Sequence, residues 1–144
     1  MDIESAVTGT LARDMCRHLE TFAASVSVAP QVVFCLDHAL SEHLQNLHDH
    51  SDATLARVRL RSSQGKLMVT VLDNGKPYNI LGHPPVDTSV PILERPIGGL
   101  GIHMIRKLLD EVHYSTADGW NTATFVKNDK APGPETHRSN LPTP

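Results

Sequence analysis

Glu42 and Asn46 stand four residues apart in a run, 31–50, whose apolar positions Val33, Leu36, Leu40, Leu44 and Leu47 recur at helical spacing. Four steps of about 100° overshoot a full turn by only about 40°, so the two heads stack along one side of a helix, with His38 before them and His50 after. A polar stripe is ordinarily a solvated face, and such faces are mostly Lys and Glu; this one sets a lone carboxylate above an amide. Further on, Asp73-Asn74-Gly75 closes an apolar segment, a composition that equally suits a plain turn. Gly98, Gly99 and Gly101, around Leu100, precede a second amphipathic pattern at Ile102, Ile105, Leu108, Leu109 and Val112. Glycines there leave backbone N–H groups unscreened at the positive end of a helix, which is anion chemistry, and phosphate is the usual anion. Alone, that loop reads as a flexible turn before a core helix; its company upstream is what gives it chemical weight.

The elements that must position these residues follow from periodicity. Residues 3–10 suit a short edge strand. Residues 11–25 form a helix with Leu11, Met15, Leu19 and Phe22 on one stripe, and Pro30 suits the first turn of the next. Arg57-Val58-Arg59-Leu60-Arg61 alternates, so one face is wet, and the arginines read as a solvated face or a protein contact. Residues 66–72 are nearly all apolar, which predicts a central strand, joined to its predecessor through a four-residue connection, Ser62 to Gly65. A proline-rich stretch, 76–97, lacks periodicity and suits a functional lid or a disordered loop. A helix over about 100–111 and a final hairpin, with strands near 112–116 and 121–127, complete the domain; 128–144 is polar and proline-rich, a disordered tail. Helices without a strand after each cannot build a doubly wound parallel sheet. The expected class is α+β: a two-layer sandwich with a mixed, mostly antiparallel sheet and helices on one face.

The totals fit one domain, residues 1–127, with a real core. The chain has 144 residues, is 40% hydrophobic and 20% charged, and carries a net charge of -3. That balance offers no general nucleic-acid or membrane surface, and 4% aromatic residues argue against base-stacking platforms. Cys16 and Cys35 sit inside apolar helical patterns and read as small buried hydrophobes of a reducing compartment. The start, with Asp2 and Glu4, lacks the plan of a secretory signal, so a cytoplasmic location is expected. Cys35-x-x-His38 and His48-x-His50 complete no zinc set.

Taken in order, Glu42-x-x-x-Asn46 on a helix, Asp73-x-Gly75 at a strand end, Gly98-Gly99-Leu100-Gly101 before a helix and Thr124 on the last strand resemble the GHKL ATPase superfamily with its Bergerat fold. Within it, the resemblance is to anti-sigma-factor serine kinases of the RsbW type, over roughly residues 10–127. The resemblance implies that Asn46 ligates Mg²⁺ through its amide oxygen, a hard ligand. It implies that Glu42 is the general base for a serine hydroxyl. Asp73 then accepts from the adenine amino group, Gly75 lets backbone pass close to the base, and Thr124 supports the adenine contact. Gly98, Gly99, Leu100 and Gly101 close over the phosphates of ATP, and Arg95 reaches the terminal one. Ser41 stands where relatives often place a second acid.

The function implied is a cytoplasmic, homodimeric Mg-ATP-dependent serine kinase that binds a sigma factor and phosphorylates a serine of a STAS-type antagonist, with no direct nucleic-acid or membrane role. The alternative is a nucleotide-dependent sequestering module that transfers no phosphate.

Overall fold

The computed structural model describes residues 1–77 and 105–129. The expected lid, Arg95, Gly98, Gly99, Leu100 and Gly101, the start of the third helix and all but the first two residues of the expected tail lie outside the described residues.

Two helices, a helical turn at 105–108 and five strands are described: β1 (Asp2–Ala6), α1 (Leu11–Ser25), α2 (Pro30–His50), β2 (Leu55–Ser63), β3 (Lys66–Asp73), β4 (Glu111–Ala117) and β5 (Trp120–Asn128). The sheet order is β1-β2-β3-β5-β4 and every neighbouring pair is antiparallel. The mostly antiparallel sheet with helices on one face is therefore what the chain builds. Alternation makes it so. Val58 and Leu60 on β2, Leu67, Val69 and Val71 on β3, and Ala123 and Phe125 on β5 all face the helices and join one core.

Against them lie Leu11, Met15, Leu19 and Ala23 of α1, each one turn after the last, and the stripe Val32, Leu36, Ala39, Leu40, His43, Leu44 and Leu47 of α2. Leu36, Leu40 and Leu44 have no exposed surface, and burial of each such side chain stabilises the fold by about 1.5–3 kcal/mol. The helices pack on each other, α1 over β2 and α2 over β5 and β3. Pro30 at the first turn of α2 removes an N–H that would have had no partner. At the other end Ser51 turns the chain out: its N–H and hydroxyl both donate to the Leu47 carbonyl, and its Oγ accepts from Ala53 N.

Three expectations change in detail. The connection after β2 is a two-residue turn, because Ser63 pairs with Lys66 and both Gln64 (φ 52°) and Gly65 (φ 72°) are left-handed. Asp118 and Gly119 repeat the device between β4 and β5 (φ 54° and 81°), and such turns match the twist of the strands they join. The third helix stops early: residues 105–108 are helical, and by Glu111 the chain is already paired with Val126. The last strand runs one residue into the expected tail, where Asn128 N donates to Asp110 Oδ2 at 2.7 Å.

On the helix-free face, Arg57 pairs with Glu4, and Arg61 Nη1 lies 3.2 Å from Asp2 Oδ1. The Arg57 guanidinium also sits 5.0 Å over the Trp120 ring. The arginine face is thus half-exposed and matched to the acidic edge strand β1, which explains the alternation without nucleic acid.

Candidate nucleotide site

β3 ends on Asp73, whose side chain follows Val69 and Val71 onto the helix side and is buried, 3% exposed. Its Oδ1 accepts from Gly75 N and from Asn121 Nδ2, both at 2.9 Å. Asn121, equally buried, lies opposite it on β5 and also donates to the Gly75 carbonyl at 2.8 Å. One carboxylate oxygen is therefore fixed twice, while Oδ2 makes no hydrogen bond to a described residue. A carboxylate anchored in this way presents its second oxygen as a rigid acceptor.

The turn beyond is laced to the loop that leaves α2. Asn74 Oδ1 accepts from Thr54 N (2.9 Å) and Leu55 N (3.1 Å), and Lys76 N donates to Asp52 Oδ1 at 2.7 Å. Gly75 is required for close approach: a Cβ there would stand 2.8 Å from Ala53 N. That approach is to the protein's own backbone. Asp73-Asn74-Gly75 is thus a hydrogen-bonded turn and, at the same time, an acceptor at the end of a buried strand.

α2 carries the other candidate side chains. Its buried stripe seats on β5, with the His43 ring edge-on to Phe125 at 5.5 Å and 71°. Asn46, three residues further towards the loop that meets Asp73, is half-buried on the flank of that stripe. Its Nδ2 is buried without a hydrogen-bond partner, and its Oδ1 bonds no described residue. Glu42, one turn back, is also half-buried and makes no ion pair or hydrogen bond among the described residues. With Cys16, Asp37, His38 and Ser41 it lines an open hollow of about 320 Å³ where α1 meets α2.

Around that hollow the charges are unusual. The Asp37 carboxyl is pushed up to about 6, by burial first and then by Glu20, and its Oδ1 has no partner. The Cys16 thiol, 3.6 Å from the Asp37 carbonyl, is pushed up to about 12 by burial and by Asp37, so it stays a neutral thiol. Both cysteines are free.

Thr124 is not brought to Asp73, which corrects its expected place. Alternation puts it on the helix-free face, its hydroxyl 3.3 Å from that of Thr70. The residue facing Asp73 is Asn121, which the sequence reading missed. The signal was in the register: with Asp73 buried and antiparallel pairing to the last strand, only the parity of Asn121, Ala123 and Phe125 reaches the helix side. Gly98, Gly99, Leu100, Gly101 and Arg95 lie outside the described residues.

A family model described as the histidine kinase-like ATPase domain matches residues 5–127. The chain is similar to the serine/threonine-protein kinase BtrW of Bordetella bronchiseptica, 26% identical over 135 residues that cover 88% of this chain and 92% of that protein. It is also similar to a crystal structure of the RsbU and RsbW domains of Rv1364c from Mycobacterium tuberculosis, with a TM-score of 0.61 and 19% identity over 89% of this chain. The chain spans 31% of that larger one, and at this identity the fold is what is shared. The two likenesses agree with the resemblance to RsbW-type kinases drawn from the motifs, and the sandwich is of the Bergerat type. An ATPase domain implies ATP as its ligand. With the match running from β1 to within one residue of the end of β5, this chain belongs to the histidine kinase-like ATPase domain family.

Proposed function

We propose that this chain is an Mg-ATP-dependent serine kinase and anti-sigma factor of a partner-switching system. It holds a sigma factor, and it phosphorylates a serine of a STAS-type antagonist so that the antagonist lets go. The similarity to a protein named a serine/threonine-protein kinase and to a chain with an RsbW domain supports this reading. The observation that carries it is Asn46: a half-buried amide, neither of whose head atoms bonds a described residue, on the helix one turn from Glu42. A buried amide left unpaired costs about 1–3 kcal/mol, which a ligand recovers.

The donor set suits Mg²⁺, since an amide oxygen is a hard ligand and this one is uncommitted. Bound there, the ion would neutralise charge on the phosphate oxygens. The chain's own residues do the rest. Asp73, steadied by Asn121 and Gly75 N, receives the adenine amino group on Oδ2. Glu42 takes the proton from the serine hydroxyl as its oxygen attacks the terminal phosphorus, the bond to the bridging oxygen breaks and ADP leaves, and the open hollow beside it admits a protein substrate. Gly98, Gly99, Leu100 and Gly101 cover the phosphates through backbone N–H groups, and Arg95 reaches the terminal one. Residues 1–127 form the catalytic domain, and the protein is a cytoplasmic homodimer. No described helix is long and apolar enough to cross a membrane.

The test is calorimetric titration with ATP in the presence and absence of Mg²⁺, on the wild-type protein and Asn46→Ala. Wild type should bind ATP with a strong Mg²⁺ requirement, and the variant should lose that requirement together with at least 10-fold in affinity. ATP binding that ignores both Mg²⁺ and Asn46 overturns the assignment. Tight binding with no label transferred to a STAS-type antagonist would favour the sequestering module instead.

A further inference from the structure

His43 is a fully buried histidine on α2, and the chemistry above does not use it. It is 2% exposed, and neither ring nitrogen has a hydrogen-bond partner. A buried imidazole normally donates from one nitrogen and accepts on the other. This one instead packs by shape, edge-on to Phe125. An apolar side chain of similar size would fill the space without two orphaned nitrogens; what histidine adds is a charge that depends on the proton.

Its place in the chain gives that charge a consequence. His43 directly follows Glu42 and precedes Asn46 by three residues, about 60° round the helix. Lifting this turn of α2 from its seat on β5 would carry both of those side chains with the ring, since all three share one helical turn. Resting on the nucleotide-site reading given above, we propose that His43 is the positioning residue of this site: as neutral imidazole it seats the Glu42–Asn46 turn of α2 on β5, and its protonation unseats that turn.

Among the described residues, no charge nearby softens the effect. The helix-facing residues of β5 are Asn121, Ala123 and Phe125, none of which titrates. Those of β3 are apolar until Asp73, whose Oδ1 is already taken twice. On α1 the titratable groups turned towards α2 are Cys16, a neutral thiol, and Glu20, which faces Asp37 at the outer seam. In the turn at 105–108, Ile105 faces inward and Arg106 and Lys107 are exposed. On α2 itself, Glu42 and Asp37 lie on the flanks, at the outer hollow. Burial alone then depresses His43, from an ordinary 6.5 to about 4.

The experiment is amide hydrogen exchange of the full chain at pH 7.5 and 5.0, corrected for intrinsic rates, on wild type and His43→Leu. A ring that titrates near 6.5 when unseated and near 4 when seated makes the unseated fraction rise about 30-fold over that interval. Exchange across residues 42–47 should therefore accelerate about 30-fold in wild type and stay within about 3-fold in His43→Leu. Equal acceleration in both proteins, or none in wild type, overturns the proposal. Should His43→Leu not fold, carbon-detected NMR titration of the wild-type imidazole decides: a midpoint near 4 supports the seat and one above 6 overturns it. Saturating Mg-ATP should slow exchange at 42–47; binding that leaves those amides unchanged removes the link to the site. A wild type that binds no Mg-ATP at pH 7.5 ends the nucleotide reading instead, while exchange still decides whether His43 seats α2.

Discussion

The two groups of candidate side chains, at the end of β3 and along α2, are built on opposite plans. At the end of β3, Asp73, Asn121 and Gly75 share three hydrogen bonds of 2.8–2.9 Å, and Asn74 and Asp52 tie the same turn to the loop after α2. Along α2 the polar atoms are left over. Among the described residues, the buried side-chain atoms without a partner are Asp37 Oδ1, both ring nitrogens of His43 and Asn46 Nδ2, and all of them belong to this one helix. Buried polar groups are paired as a rule, so a cluster of exceptions on one element asks for a cause. The contrast fits a site in which a base-recognising wall is finished in advance and a phosphate-facing wall is completed by what binds.

Removing the reacting group breaks the comparison most strongly. Glu42 has no partner to lose among the described residues, so Glu42→Ala should leave the fold and Mg-ATP affinity near wild type. Phosphotransfer to a serine should fall by about 10²–10⁴, the usual contribution of a general base. Single-turnover transfer of labelled phosphate measures this. Transfer at the wild-type rate would move the base elsewhere.

On the finished wall the expected effect is structural first. Asn121→Ala takes one of two donors from Asp73 Oδ1 and the only described donor from the Gly75 carbonyl, in a buried place. Unfolding free energy should drop by about 1–3 kcal/mol, and discrimination of ATP over GTP should weaken because Asp73 is no longer steadied. Denaturant melts and competition binding read the two effects separately. A variant as stable as wild type would mean that Asp73 needs no such support.

How much of this was legible beforehand divides along the same line. α1 and α2 fall within one residue of the ranges read from apolar spacing, because each buries a continuous stripe. The strands were legible too, since Arg57 to Arg61 alternates and residues 66–72 are nearly all apolar, as suits a central strand. The hairpin after β2 was read two residues too long: Ser62 and Ser63 look like turn residues, but cross-strand pairing claims both. The third helix was read to 111 because Val112 continues its apolar period, although that residue belongs to a strand opposite Phe125. At the site, local spacing sufficed for the proximity of Glu42 and Asn46 on one flank. Thr124 and Asn121 are different: which of them meets Asp73 depends on register across 48 residues of chain, and a shift of one position changes the face. The orphaned state of His43 and Asn46 is likewise a property of packing, invisible in any stretch of sequence.

The smallest expected effect separates two kinds of unpaired atom on α2. Asp37 Oδ1 lies at the seam with α1, away from the β5 seat, and its carboxyl is raised to about 6 by burial and by Glu20. A folded value above the ordinary 3.8 means that the protonated form suits the fold. Its contribution is fully present below about 3.8 and is lost as pH rises through about 6, so at neutral pH the ionised group is a net cost. Full burial would make that cost about 3 kcal/mol, but the residue is only half-buried, and solvent screening leaves roughly 1 kcal/mol. Asp37→Asn should therefore raise the melting temperature by a few degrees at pH 7.5. The gain should shrink towards zero by pH 4, with Mg-ATP affinity unchanged. His43 runs the other way, costing stability as pH falls from 6.5 towards 4, so the quantity to follow is the difference between variant and wild type at each pH. A gain that does not change with pH would place its cause outside the carboxyl's ionisation, and a loss of Mg-ATP affinity would move Asp37 into the same class as Asn46.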